Sequence, residues 1–422
     1  MKARRAAKLL AASAATAVSL AFAGTAVASA TPAVASATPA VASATPAAAS
    51  ATPAAYPRQG ARFGVHVVLN GARLRHTFIP AGSSAPRTEA LADPDDITVL
   101  GHHLFSGFQN GVGPQGQPST DGNAFSTIVE YTATGHVVQQ WDIKGKCDGV
   151  TADTAAHLLI ATVNEDANSS IYTITPGALP GEQVAHYRYN EPLPHFGGTD
   201  AISVYHNLVL ISASAPGTTG MPAPQPTYPA AYIVTFNSRT LVATMHALFY
   251  DEAAARVANT GAGFGKAVNL ALTDPDSNEI VPAGAPRFGG DFMLTSQGDE
   301  EQIFVQPHGG FDSHLWVLKL THSVDDTAWA RSASGKLYGD NTSQDEVEVV
   351  TGTFPLGSIW AAVTPCDENS APATCPGPGY PPNYLGTLNP WTGLLTRVPL
   401  AGPSFRPQGM VFISPGWVVT PG

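Results

Sequence analysis

The sequence predicts an all-β fold, and three observations carry that expectation. Short runs rich in β-branched and aromatic residues recur at 63–69, 97–100, 126–131, 137–141, 157–163, 171–174, 208–212 and 232–236, each bounded by Gly, Pro, Asn or Asp. Such runs read as strands. Helical periodicity is scarce, with 251–257 the one short candidate. The third observation is a degenerate repeat: a turn residue, an acid or amide, one residue, then an apolar residue. It occurs at Pro94-Asp95-Asp96-Ile97, Cys147-Asp148-Gly149-Val150, Thr199-Asp200-Ala201-Ile202, Gly290-Asp291-Phe292-Met293, Asp325-Asp326-Thr327-Ala328 and Pro407-Gln408-Gly409-Met410, with a weaker copy at 355–359. The spacings are 53, 52, 91, 35, 30 and 52 residues. Four-stranded blades of a β-propeller run ~40–50 residues, so the longest spacing implies an insertion and the two shortest imply trimmed blades. The pattern predicts a β-propeller of six or seven blades, seven preferred.

Before the propeller come two segments of other character. Residues 1–30 combine a basic start (Lys2, Arg4, Arg5, Lys8), an apolar small-residue stretch to Ala23 and an Ala28-Ser29-Ala30 cleavage signal. That is the layout of a secretory signal peptide. The apolar stretch is shorter than the ~20 residues a membrane-spanning helix needs, so no transmembrane helix is expected, a retained N-terminal anchor being the other reading. Residues 31–57 repeat a Thr-Pro-Ala unit, with Pro32, Pro39, Pro46 and Pro53 each seven apart. Proline at that period breaks helices, and Ala, Ser and Thr offer too little apolar area to offset ordering, so the segment reads as a disordered linker. The propeller is expected over 58–422.

Composition bounds the function. At 44% hydrophobic, 13% charged and 3 Cys in 422 residues, the chain is neither a disordered polymer nor a small disulfide-stapled module. Loss of residues 1–30 leaves 17 cations against 32 acids, a net of −15. That charge repels nucleic acid and anionic membrane.

The second halves of blades also repeat. A strand, a Thr-Gly turn and a second strand occur at 126–141, again at 384–398, and more loosely at 232–248. Glycine at the turn permits positive φ, and the flanking runs form an outer hairpin. On these blade starts and hairpins the chain resembles secreted propellers of the NHL and SMP-30-like superfamily, whose blades open with a Pro-Asp-Gly-Ile type step. It also resembles actinobacterial secreted proteins of uncharacterised function that carry segments like 364–369 and 379–386. The resemblance implies a secreted, extracellular propeller, and the Glu-Gly-Pro opening that supplies a metal-ligating Glu in SMP-30-type lactonases is missing here.

If the blade-start register holds, Asp95, Asp148, Asp200, Asp291, Asp326 and Gln408 project near one mouth of the central channel, where carboxylates suit a divalent cation or a polyhydroxylated or cationic ligand. The other reading is that each Asp caps the turn before its own strand. Asp274, Asp276 and Asn278 alternate as oxygen donors, but Glu279 stands where an EF-hand needs Gly, so they read as a looser Ca²⁺-binding turn or an exposed acidic loop. His308, Asp312 and His314 cluster without a standard zinc spacing, and His102, His103 and His195 are further histidines; surface and turn positions are the competing explanation. Cys366 and Cys375 lie nine apart in a Pro-rich loop and read, in an exported chain, as a local disulfide. Cys147 reads as a buried small residue.

The elbow of serine hydrolases, the phosphate-cradling loop and the zinc-protease helix are all missing. Two functions compete. One is a secreted ligand- or partner-binding scaffold, monomeric, for a small molecule, a carbohydrate or a cell-envelope partner. The other is a metal-dependent lactonase- or lyase-like enzyme with Ca²⁺ or Mg²⁺ on channel-mouth carboxylates and His195 or His308 as base.

Overall fold

The computed structural model describes residues 63–193, 197–214, 228–306, 314–365 and 383–416. The described residues are strand and turn, with two short 3₁₀ turns at Gly71–Arg73 and Thr342–Gln344. The helix candidate at 251–257 is instead largely strand. Too short for a stable helix, that segment pairs with a neighbouring sheet edge.

The chain opens with β1 (Phe63–Asn70), followed by the hairpin β2 (Arg75–Phe78) and β3 (Arg87–Ala90). Three meanders of four strands follow, each paired in sequence order: β4 (Pro94–Leu100), β5 (His103–Phe108), β6 (Phe125–Thr132) and β7 (Val137–Lys144); then β8 (Cys147–Asp153), β9 (Leu158–Val163), β10 (Ser170–Ile174) and β11 (Val184–Tyr189); then β12 (Ile202–Tyr205), β13 (Leu208–Ser212), β14 (Pro229–Asn237) and β15 (Val242–Tyr250). Next come β16 (Ala254–Val257) and β17 (Ala267–Asn269). They sit on the outer edge of a fourth meander, β18 (Pro275–Ile280), β19 (Phe292–Ser296), β20 (Glu301–Val305) and β21 (Leu315–Lys319). The remaining strands are β22 (Val324–Trp329), β23 (Lys336–Asn341), β24 (Glu346–Thr351), β25 (Ile359–Val363), β26 (Tyr384–Leu388), β27 (Leu395–Arg397), β28 (Leu400–Ala401) and β29 (Met410–Ile413).

These last strands form two four-stranded groups that interleave along the chain. The fifth is β22-β25-β26-β27, and the sixth is β29-β23-β24-β1 with β28 beyond. The sixth group therefore takes its first strand from the C-terminal part, its middle hairpin from between β22 and β25, and its fourth strand from the N-terminal part. Too little chain remains after Gln408 for a full blade, so the sequence predicts two strands there, 409–413 and 417–420, completed by pairing with 63–69. β1 does share a sheet with the strand after Gln408, although its direct partner is β24, with Gly64 opposite Thr351. The expected second strand at 417–420 lies outside the described residues. The weaker start at 355–359 leads into β25, the second strand of its group, and so opens no group of its own.

First strands stand side by side in a closed ring: β4 against β8, β8 against β12, β12 against β18, β18 against β22, β22 against β29, and β29 against β4. This is the layout of a β-propeller. Apolar clusters fill the interfaces between successive groups, and the one joining Leu69, Tyr338 and Val347 to Leu104 and Val129 closes the circle. Each sheet is thus covered on both faces, which is why strands read as apolar runs and not as strict alternation. On β9, Leu159, Ala161 and Val163 enter the cluster shared with β5–β7, while Ile160 enters the one shared with β13–β15.

The predicted outer hairpins form, β6 pairing β7 and β26 pairing β27. Gly135 in the β6–β7 turn has φ of 80°, and a Cβ there would come within 1.9 Å of the Val68 carbonyl oxygen. Only glycine fits both conditions.

Candidate functional site: an acidic channel ringed by six bulges

Every first strand begins with the same irregularity. Register slips by one residue between Pro94 and Ile97, between Cys147 and Gly149, between Pro275 and Asn278, and between Val324 and Thr327. In the third group Asp200 donates its N–H to the Ser212 carbonyl, and Ser212 donates to that of Ala201. In the sixth, Gln408 donates to Asp340 and Asp340 to Gly409. Two residues thus face one, which is a β-bulge, a device that bends a strand and re-aims its side chains. The paired bulge residues are Asp95–Asp96, Asp148–Gly149, Asp200–Ala201, Asp276–Ser277, Asp325–Asp326 and Gln408–Gly409. The first member of each lines one cavity of about 860 Å³.

Second members join each strand to the next. The Asp96 carboxylate accepts N–H groups from Ile97 and Val150, both at 2.7 Å. Asp326 does the same for Thr327 and Met410, both at 2.5 Å. The Ser277 hydroxyl donates to the Asp325 carbonyl, and Gly409 N–H to the Asp95 carbonyl at 2.8 Å. Between β12 and β18 the contacts are Asn278 Nδ2 to the Ala201 carbonyl at 2.6 Å and Ser212 Oγ to the Asp276 carbonyl at 2.5 Å.

The first members face a different environment. Lys146 Nζ lies 2.9 Å from Asp148 Oδ1 and also pairs with Glu165. Gln109 Nε2 donates to the same Asp148 oxygen at 3.1 Å, while Asp148 Oδ2 has no partner. Burial pulls the Lys146 pKa down, but Asp148, Glu165 and Asp95 outweigh it and raise the value. Burial pushes Asp95 up to about 7 against the pull of Lys146, and pushes Asp96 up to about 7 against its two N–H donors. Burial also holds Asp148, Asp200, Asp276 and Asp326 well above the ordinary carboxylate range, neighbouring carboxylates adding to it. Asp200 is the first of the neighbouring carboxylates that raise Asp276. Further along the cavity, burial raises Glu279 to about 8, with Arg331 opposing.

Of the residues singled out from the sequence, Asp95, Asp148, Asp200 and Gln408 meet in the cavity as first bulge residues. Asp326 also borders it, but as a second member whose carboxylate is pinned to two backbone N–H groups. Asp326 and Asp96 each accept the N–H of the residue that follows them, whereas the Asp148 carboxylate meets Lys146 and Gln109. Asp291 is a correction. It precedes β19, a second strand, and is not among the cavity-lining residues. The fourth group opens instead at Pro275-Asp276-Ser277-Asn278. Asp276 and Asn278 thus belong to strand β18 and not to a calcium-binding turn, with Asp274 just before it. Among the described residues no group of three or more His, Cys, Asp or Glu side chains is disposed to hold a metal ion.

His195, His308, Cys366 and Cys375 lie outside the described residues. Cys147 is free and 1% exposed, and burial raises its thiol. His103 opens β5 and pairs with Glu130 at 2.5 Å. Sequence reasoning missed Lys146, Glu165, Gln109 and Glu279. Lys146 is two residues before a repeat Asp and was within reach of pattern reading; Glu165 and Gln109 follow second strands, where no repeat marks them.

No protein-family model matches this sequence, and no curated protein matches it. Among solved structures, a protein of unknown function from Bacteroides caccae aligns over 84% of this chain and 99% of its own, at 7% identity and a TM-score of 0.44. Streptogramin B lyase aligns over 81% and 92%, at 11% identity and 0.37. The periplasmic gluconolactonase of Pseudomonas aeruginosa aligns over 83% and 99%, at 11% identity and 0.38. Among the described residues no helix is long and apolar enough to cross a membrane.

Proposed function

We propose that the chain is an exported six-bladed β-propeller that binds a small ligand in its central channel. One observation carries the reading: each of the six first strands delivers its first bulge residue, five of them aspartates, to one cavity. Six blades replace the seven preferred from the sequence, because 355–359 leads into a second strand and 290–293 does likewise. Buried carboxylates cost stability unless something compensates them. A fold that places five around one cavity bears that cost for a reason other than folding, and ligand binding supplies one.

Hard divalent cations such as Ca²⁺ or Mg²⁺ take carboxylate oxygens, but these residues do not form a group disposed to hold one, so no lactonase- or lyase-type step is drawn through a metal. The signal peptide at 1–30, the linker at 31–57, an extracellular location and a monomeric state complete the proposal, supported by the sequence features described above. The experiment is a thermal-shift titration of the secreted protein with amines, neutral sugars, CaCl₂ and MgCl₂. A ligand present at about 100 times its Kd adds ~2.7 kcal/mol to stability, and the shift should shrink clearly in Asp200→Asn. No shift with any probe would remove the channel-binding reading.

A further inference from the structure

We infer that the outer edge of the fourth blade binds a short acidic sugar, a uronic-acid unit whose C–H face stacks on Phe264 and whose carboxylate meets Arg256 and Lys266; the channel plays no part in it. Phe264 sits in the turn between β16 and β17, two strands added outside the four of that blade. Every other Phe, Tyr and Trp among the described residues is buried or half-buried, whereas Phe264 is 53% exposed. A single exposed apolar residue needs no explanation. This one tops a built stack. Its ring lies 5.6 Å from that of Trp316 on β21, centroid to centroid, with the planes 21° apart. The Arg287 guanidinium stands 5.8 Å from Phe264, 4.9 Å from Trp391 and 4.5 Å from Phe288, and donates to the Pro390 and Ala258 carbonyls at 2.8 and 2.6 Å. Phe288 in turn stacks on Phe304 at 4.0 Å. Its backbone φ of 58° is one a bulky residue adopts only where its surroundings enforce it. The platform is thus held in place, and a ring already ordered loses little freedom when a ligand stacks on it. Glycines leave it uncovered: a Cβ at Gly261 or Gly265 would meet nothing within 4 Å.

Cations stand beside this ring, in a chain of net negative charge. Arg256 on β16 is in register with Trp316 and donates to the Gly265 carbonyl at 3.1 Å, which keeps its guanidinium next to the Phe264 turn. Lys266 follows Phe264 by two residues, and both cations are exposed. Among the described residues none of Arg256, Lys266 and Arg287 pairs with a carboxylate, although the chain carries 32 acids against 21 cations. Exposed charges more than ~8–10 Å away are largely screened at physiological salt, so the neighbouring cations and not the net charge set the local preference. A uronic acid carries an apolar C–H face and a carboxylate on one ring, which matches one exposed aromatic ring flanked by two cations. An acidic peptide brings the charge without the flat face. Single-stranded nucleic acid brings both, but it is held along a basic track of ~4 or more nucleotides, longer than two cations beside one ring provide.

Isothermal titration of the full secreted protein with tetragalacturonate tests the inference, with tryptophan fluorescence as a second readout because Trp316 lies in the stack. Dextran, poly-glutamate and oligo-dT are the comparators. The expected result is saturable galacturonate binding that weakens with added salt, falls about tenfold in Phe264→Ala and about tenfold in the double variant Arg256→Gln with Lys266→Gln, and is unchanged in Asp200→Asn. Phe264→Ala and the double variant should keep the parent melting transition, since these side chains are exposed. Dextran bound as tightly as galacturonate, with the double variant unaffected, would overturn the acidic sugar. Poly-glutamate or oligo-dT bound in its place would assign the surface to a peptide or a nucleic acid and overturn it likewise. Galacturonate binding that Phe264→Ala leaves intact, or that Asp200→Asn abolishes, would overturn the site. Absence of binding by every probe would remove the inference and leave the channel reading standing.

Discussion

The Asp96 carboxylate on β4 holds the backbone N–H of Val150 on β8 at 2.7 Å, joining the first strands of two neighbouring blades through one side chain. Asp326 repeats the arrangement with Met410 on β29 at 2.5 Å. Each of these carboxylates also takes an N–H of its own strand, so it fixes the bulge and the blade junction together.

Replacing Asp96 by alanine leaves two buried N–H donors without an acceptor. At ~1–3 kcal/mol for each unsatisfied group, Asp96→Ala should destabilise by about 2–6 kcal/mol. Asp96→Asn, which keeps one oxygen, should lose less. Urea unfolding of the two variants measures the difference, and equal losses would contradict the double-acceptor role.

Gly149 packs where no side chain fits. A Cβ there would meet the Asp200 carbonyl oxygen at 2.6 Å, Thr162 Oγ1 at 2.7 Å and Ala201 Cα at 2.9 Å. Two of these three are backbone atoms of the next blade, so Gly149→Ala must push β8 from β12. Overpacking of this kind costs ~1–3 kcal/mol. A thermal melt reads it, and Gly284→Ala, with nothing within 4 Å of the new Cβ, is the control.

Ring closure depends on Phe63, which is 1% exposed and lies 5.2 Å from Phe354 and 5.1 Å from Trp360, centroid to centroid. Phe63→Ala should cost ~3–5 kcal/mol. Deletion of residues 58–75, which removes β1 entirely, should abolish cooperative unfolding; an unchanged melting transition would rule out this closure.

Stability of the ligand-free protein should fall as pH rises. Burial lifts Asp95 and Asp96 to about 7 and Glu279 to about 8. Unfolded, these acids ionise near ~4, so the folded state binds their protons more tightly. Their contribution is fully present below that value and is lost as pH passes through 7 to 8. Melting temperature measured from pH 5 to pH 9 should decline by several degrees, on the order of 2 kcal/mol or more in total. Glu279→Gln should flatten the alkaline end of the curve.

His76 fastens the β2–β3 hairpin to the first blade. Its ring, 5% exposed, lies 3.2 Å from Asp142 on β7 and 3.1 Å from Glu89 on β3, and stacks on Phe78. Burial lowers its affinity for a proton, yet the two carboxylates outweigh burial and raise the pKa above 6.5. The latch is therefore strongest below 6.5 and weakens as pH rises through the folded value. His76→Gln should speed hydrogen exchange in 75–90 at about pH 6 by roughly tenfold, with little change in the rest of the propeller. Uniform protection across both segments would refute the latch.

Strand character, the bulge sequences and the turn glycines are local properties, and the sequence determined them alone: β-branched runs between turn residues, an acid ahead of an apolar residue, and glycine where φ turns positive at Gly135 and Gly393. Even the sharing of one sheet between 63–70 and the strand after Gln408 follows from counting, because too little chain remains after Gln408 to complete a blade. The start of the fourth blade was misread because Gly290-Asp291-Phe292-Met293 fits the repeat in full whereas Pro275-Asp276-Ser277-Asn278 carries Asn where the repeat has an apolar residue, and only pairing shows that the latter is a first strand. The same holds for Asp325 and Asp326, adjacent acids whose roles differ by one place in a bulge. Register across strands is a long-range property, fixed by apolar clusters that gather residues from distant parts of the chain, such as Leu69 with Leu104 and Val347. Tertiary structure alone decided that Lys146 meets Glu165 beside Asp148, that Asp200 reaches Asp276, and that the hairpin of β23 and β24 joins the blade beyond its own. These contacts exist only once the ring has closed.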